Sequence, residues 1–138
     1  ACVDSWKSWE EMEEEIRTVM AGKPEHIKRG LIEAKGKYVD KEGLRRQLES
    51  LKESWSSLSS RIRKQILPFE QVRENLRRVG APYEPEMIGV TRERFRKTFT
   101  YMPYMRSRVT AIDVLYRCGM MDEVEEHLFG KGGHWEVL

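Results

Sequence analysis

Apolar residues at Leu44, Leu48, Leu51, Trp55, Leu58 and Ile62 step by four and three positions without a miss. The alternation repeats every seven residues and lays one seam along a helix of about six turns. Arg46, Glu49, Lys52 and Glu53 occupy the opposite face, so the seam is built to meet another helix. Asp40 reads as the N-cap of this helix, which ends near Ile66 and Leu67 before Pro68.

The same periodicity predicts the other elements. A first helix is expected from about Ser5 to Met20, with Trp6, Trp9, Ile16, Val19 and Met20 on its apolar side. Ser5 is its candidate N-cap, and the carboxylates of Glu10 to Glu15 suit the positive end of its dipole. Gly22 and Pro24 break the chain. A second helix starts at Pro24 and turns Ile27, Leu31 and Ala34 inward, weakened by Gly30 and Gly36. Val72, Leu76 and Val79 define a fourth helix that stops at Gly80, Ala81 and Pro82. The segment from Pro82 to Val90 is an ordered connection. Thr91 caps a fifth helix bearing Phe95, Phe99 and Met102, which Pro103 ends. Two short helices, Thr110 to Cys118 and Asp122 to Phe129, flank Gly119, and a glycine-rich tail from Gly130 follows, flexible except for Trp135 as its anchor. Sustained period-2 alternation is absent from the sequence, so the expected fold is all-α with six or seven helices in one domain, 1–138.

Composition adds limits more than functions. The 138 residues suffice for one core, and the charged fraction of 35% fits solvated outer faces of helices. A net charge of +2 is too small to argue for nucleic acid. Its distribution is uneven: Asp4 to Glu15 is acidic, whereas Arg61 to Arg108 is rich in Lys and Arg. Such a half serves either as an electrostatic footprint for phosphates or as the outer face of surface helices, and the second reading is preferred. Two cysteines make no disulfide framework. No apolar run approaches the roughly 20 residues that span a bilayer, and a cytoplasmic protein without membrane contact is expected. The chain opens at Ala1, and its first ten residues read like the interior of a helical protein, so a processed form or a piece of something larger is expected.

Candidate chemistry is thin. His26, His127, His134, Cys2 and Cys118 show none of the close spacings that bring two ligands to one ion, although His127 and His134 can meet in a folded tail. Arg117 beside Cys118 would lower a thiol pKa, against the plainer reading of an inert cysteine at a helix end. Glu10 and Glu14 share a helix face but suggest a solvated surface rather than an acid/base pair. Gly130-Lys131-Gly132-Gly133 follows a helix instead of joining a strand to one, unlike a phosphate cradle. Arg92, Arg94, Arg96, Lys97, Arg106 and Arg108 form a cluster able to hold an anion or RNA, with Tyr101 and Tyr104 near for stacking, but tyrosines at a helix junction normally pack.

Several landmarks in the second half fall in a telling order. They are Leu67-Pro68, Val79-Gly80-Ala81-Pro82, Ile88-Gly89-Val90, and Pro103 to Thr110 running into Ala111-Ile112-Asp113-Val114-Leu115. Together they resemble the C-terminal end of bacterial sn-glycerol-1-phosphate dehydrogenases, of the iron-containing alcohol dehydrogenase and glycerol dehydrogenase superfamily. Tyr38 to Asp40, the helix through Trp55 and the Gly132-Gly133-His134-Trp135 ending are also similar, so the resemblance covers roughly Pro24 to Leu138. Val109 stands where that family carries an aromatic residue. The resemblance implies the C-terminal helical part of a dehydroquinate synthase-like fold, in a parent enzyme that reduces dihydroxyacetone phosphate to sn-glycerol 1-phosphate with NADH or NADPH, a step of glycerol phosphate metabolism. It also implies a catalytic divalent metal, zinc or nickel, held by an aspartate and two histidines on helices earlier in the helical domain. The nucleotide-binding domain and those ligands would precede Ala1, so this chain is assigned no catalytic, metal or cofactor residue and is expected to be inactive alone. Its partner would be the remainder of the parent enzyme, and apolar surface around Trp6 and Trp9 is expected to be exposed or used for self-association. Arg106 and Arg108 are then read as structural, with a place near the substrate phosphate as the alternative. The rivals are a stand-alone helical module that receives a partner helix on the Leu44 to Ile62 seam, and an RNA-binding helical protein.

Overall fold

The computed structural model describes residues 2–137. Among them are seven α-helices and no strand: α1 (Trp9–Val19), α2 (Pro24–Lys35), α3 (Lys41–Gln65), α4 (Phe69–Arg78), α5 (Arg92–Phe99), α6 (Ala111–Arg117) and α7 (Met121–Phe129). Short 3-10 turns at Pro85–Ile88 and Met102–Tyr104 interrupt the connections. None of these helices is long and apolar enough to cross a membrane.

Local chemistry sets most boundaries. Asp40 accepts the Gly43 amide at 2.7 Å and starts α3. Thr91 does the same for Arg94 at 3.2 Å and starts α5. Gly80 ends α4 in the left-handed region at φ 70°, a conformation that a side chain would strain. The first helix begins later than the sequence suggests. Ser8, not Ser5, is its cap: Ser8 Oγ accepts from the Glu11 amide at 3.2 Å, and the Ser8 amide donates to Glu11 Oε2 at 2.7 Å. This reciprocal box needs an acid three residues on, which Ser8 has and Ser5 lacks.

The later start frees Trp6 to fold under the bundle. It is buried, with its indole Nε1 donating to the Val39 carbonyl at 2.7 Å and its ring edge against Tyr116 at 5.5 Å. Trp9 is half-buried, edge-on to Tyr38 at 5.4 Å, with the Lys35 ammonium 4.3 Å over its ring. The expectation of exposed apolar surface therefore fails at Trp6, whereas Trp9 keeps an open apolar flank beside Leu31 and the exposed Ile32. A segment outside the helical period covers itself by reaching the α2–α3 junction.

The core gathers Trp6, Met12, Ile16, Met20, Ala34, Leu44, Tyr101 and Tyr104. Each fully buried aliphatic side chain contributes about 1.5–3 kcal/mol. Gly30, a weak helix former, sits where α1 and α2 approach: a Cβ there would lie 3.1 Å from Met20 Sδ and 3.3 Å from Ile16 Cγ2. A second, aromatic cluster joins α5, α7 and the tail. Phe95 packs edge-on to Phe129 at 5.5 Å and to Trp135 at 5.0 Å, and Phe69 reaches Trp135 at 5.8 Å.

Trp135 thus anchors the tail, and the tail is not the flexible glycine-rich end that the composition suggests. The Trp135 amide donates to the Leu128 carbonyl and the Val137 amide to the Phe129 carbonyl, both at 2.9 Å. Gly132 donates its amide to Glu136 at 2.9 Å. These bonds fold the segment back along α7, and Gly130 and Gly133 are there because the backbone passes too close for side chains.

Candidate functional site

Polar ties lock the landmark stretch of the second half onto the C-terminal end of α2 and the turn that follows it. Lys37 and Asp113 form an ion pair with both side chains more than nine-tenths buried (8% and 5% exposed). Asp113 also accepts from the Thr110 amide at 2.8 Å and its hydroxyl at 2.9 Å, so one carboxylate caps α6 and holds the turn after α2. Arg117 closes the junction by donating to the Lys37 carbonyl and to Gln47 Oε1, both at 2.8 Å. Glu33, in turn, accepts from the Ser107 amide at 2.6 Å and pairs with Arg29. The bonds from Ser107, and then the Arg29 charge, hold the Glu33 carboxyl below its ordinary 4.5.

These ties settle the position of several sequence candidates. Arg117 points away from Cys118, whose thiol is pushed up by burial first and by the neighbouring Cys2 second, opposite to the lowering that an adjacent arginine suggests. Glu10, Glu14, His26 and His127 are exposed. His134 is half-buried against Phe69 at 4.7 Å, with Nε2 lying 3.5 Å from Glu84 Oε1. Among the described residues no three His, Cys, Asp or Glu side chains converge as a metal site would need.

A polar line runs outward from the buried Tyr104 through Tyr116 (hydroxyls 3.4 Å apart) to Glu15 at 3.1 Å and on to the exposed Lys7 at 2.7 Å. Burial raises both phenols well above their ordinary value of 10. They stay protonated at neutral pH and act as hydrogen-bonding struts rather than as acid or base.

The arrangement suited to RNA does not assemble. Tyr101 and Tyr104 are buried, and Lys23 sits 4.9 Å over the Tyr101 ring, so neither face is open to a base. Arg92 pairs with Glu86 at 2.6 Å and Arg96 with Glu125 at 2.8 Å. Arg94, Lys97, Arg106 and Arg108 are exposed on the surface.

What remains open is α3. Leu44 is fully buried and Leu48 packs on the core, but Leu51 and Leu58 are only half-covered, and Trp55 is 53% exposed. Ile62 is exposed too, and the exposure continues through Ile66, Leu67, Phe69, Val72, Leu76, Val79 (77%), Met87 and Ile88 (65%). Other large apolar side chains are exposed singly elsewhere, at Ile32, Met102, Met105, Val109 and Met120, but the outer half of α3, α4 and the turn after it hold the longest run along the chain. Three of the family-like landmarks, at Leu67, Val79 and Ile88, contribute apolar residues to it. At its inner end the seam enters a groove of about 550 Å³ whose walls include Leu48 and Leu51 on one side and Val109 and Val114 on the other.

The margins of the seam are simple. Ser54 Oγ donates to the Ser50 carbonyl at 2.7 Å and Ser59 Oγ to the Ser56 carbonyl at 3.2 Å, so both hydroxyls turn back onto their own helix. Lys52, which the pattern sets on the far face, belongs to the margin beside Leu48 and Leu51 in a seven-residue repeat. Sequence periodicity found this seam; nothing in it said which half would be covered. Comparisons of the chain with protein families, with curated proteins and with solved structures return no match.

Proposed function

We propose that this chain is the C-terminal helical portion of a nicotinamide- and metal-dependent oxidoreductase that reduces dihydroxyacetone phosphate to sn-glycerol 1-phosphate, and that its own part is structural. The apolar face of α3 and α4 seats against the metal-bearing helices of the same enzyme and holds them in place. The observation that carries this reading is the exposed run from Trp55 to Ile88, which coincides with family-like landmarks at Leu67, Val79 and Ile88. A self-sufficient helical domain would turn these residues inward, because each one covered contributes about 1.5–3 kcal/mol. The landmark stretch from Pro103 to Leu115 has a matching structural task, since Ser107 ties it to α2 and Asp113 to the turn after α2.

The test is the intact mass of the product of the native gene, together with its turnover of dihydroxyacetone phosphate with NADH and NADPH. A product well above 16.4 kDa that oxidises the cofactor is the expected result. A product of 138 residues without turnover would discard the dehydrogenase reading. The same open face suits the second reading, a stand-alone module that binds a partner helix, and that outcome would leave it standing.

A further inference from the structure

The open half of α3 has a charge pattern as well as an apolar seam. In the seven-residue repeat, the positions that flank Leu48 to Ile62 are Arg45, Gln47, Lys52, Ser54, Ser59 and Arg61. None is a carboxylate, three are cations, and the two serines are turned onto their own backbone. The three carboxylates of α3, Glu42, Glu49 and Glu53, all lie on the far side of the helix. From Ser54 to Phe69 the chain holds Arg61, Arg63 and Lys64 and no acid at all. The groove at the inner end has no carboxylate in its lining, but its Arg46 is already paired with Glu42 and its Arg117 already bonds Gln47 and the Lys37 carbonyl, so the open cations are those of the α3 margins.

We infer that the occupant of this face is an amphipathic α-helix whose apolar stripe lies on Leu51, Trp55, Leu58 and Ile62 and whose margins carry Asp or Glu. The inference rests on the docking reading above and makes the occupant a helix from the remainder of the parent enzyme. Charge complementarity selects it. A second copy of α3 would offer no carboxylate at its own margins to meet Lys52 and Arg61. A groove walled by Val109 and Val114 also admits the side chains of a helix, whereas a bilayer surface would meet only its rim.

Two synthetic amphipathic peptides test this on the 138-residue chain. Both carry leucine along the stripe, one with glutamate at both margins and the other with lysine. The glutamate peptide binds at least about tenfold more tightly, as titration calorimetry reads it, and the advantage shrinks with added salt. Lys52→Glu with Arg61→Glu reverses the preference, and Trp55→Ala weakens both complexes; the near-ultraviolet circular dichroism of each variant checks that it is folded. Equal affinity for the two peptides would overturn the charge assignment while leaving helix docking in place. Binding of neither would overturn the inference, and so would stronger binding to vesicles of anionic phospholipid or self-association of the chain in sedimentation equilibrium. Turnover by the native gene product is measured separately, so the loss of the parent reaction is distinguishable from the loss of this occupant.

Discussion

The two halves of α3 are one continuous helix with one continuous seam, yet they live in different environments. Leu44 is fully buried among Ile16, Met20 and Tyr104 in the common core, whereas Trp55, three turns on, is half in solvent. The inner half is held by features that periodicity does not contain: the Asp40 cap, the N-terminal segment folded over it, and the α2–α6 junction sealed by Lys37 and Asp113. The outer half has the same apolar repeat and only partial cover. Repetition of a seam therefore tells where a helix can be packed, and the long-range polar ties tell where it is packed.

The contrast is sharpened most by breaking the junction. Asp113→Ala leaves the Lys37 ammonium buried without its partner and removes the cap of α6, and a loss of about 3–5 kcal/mol is expected in chemical denaturation. A change under about 1 kcal/mol would mean that the pair does not hold the α2–α3 turn to α6. Next comes the seam itself. Leu44→Ala costs about 2–5 kcal/mol, because a buried side chain leaves a cavity. Ile62→Ala on the same seam shifts the stability of the isolated chain by less than about 0.5 kcal/mol, as for an exposed position. Equal losses at the two sites would erase the difference between the halves.

The smallest expected effect concerns pH. The Glu33 carboxyl is held below 4.5 in the folded chain by Ser107 and Arg29. A depressed folded pKa gives stability that is present above the unfolded value and lost as pH falls through the folded one. Glu33→Gln should therefore flatten the fall in melting temperature below about pH 4.5 and leave the alkaline side unchanged. An unaltered acid slope would remove Glu33 from the junction.

Much of this architecture was legible in the residues. Asp40, Thr91 and Gly80 mark their helix ends by local chemistry, and the elements from Pro24 onward fall where the apolar period places them, except that α5 stops at Phe99 and Met102 lies in the following 3-10 turn rather than on its face. The start of α1 was misplaced because Ser5 and Ser8 are equivalent as single residues, and only the pairing of Ser8 with Glu11 separates them. Trp6 was misassigned for the same reason, since its burial depends on Val39 across a loop. The ties from Glu33 to Ser107 and from Lys37 to Asp113 join residues over 70 positions apart, a pairing that no window of sequence contains. The candidate surface was half legible: the seam named its residues, but exposure depends on what the other helices leave uncovered.

Hydrogen exchange across residues 54–79 tests the central claim most directly, measured in the product of the native gene and in the isolated 138-residue chain. The face is predicted to exchange slowly in the gene product and quickly in the isolated chain, while amides around Leu44 stay protected in both. Identical, fast exchange of residues 54–79 in the two samples would mean that nothing covers this face, and the docking account would fail.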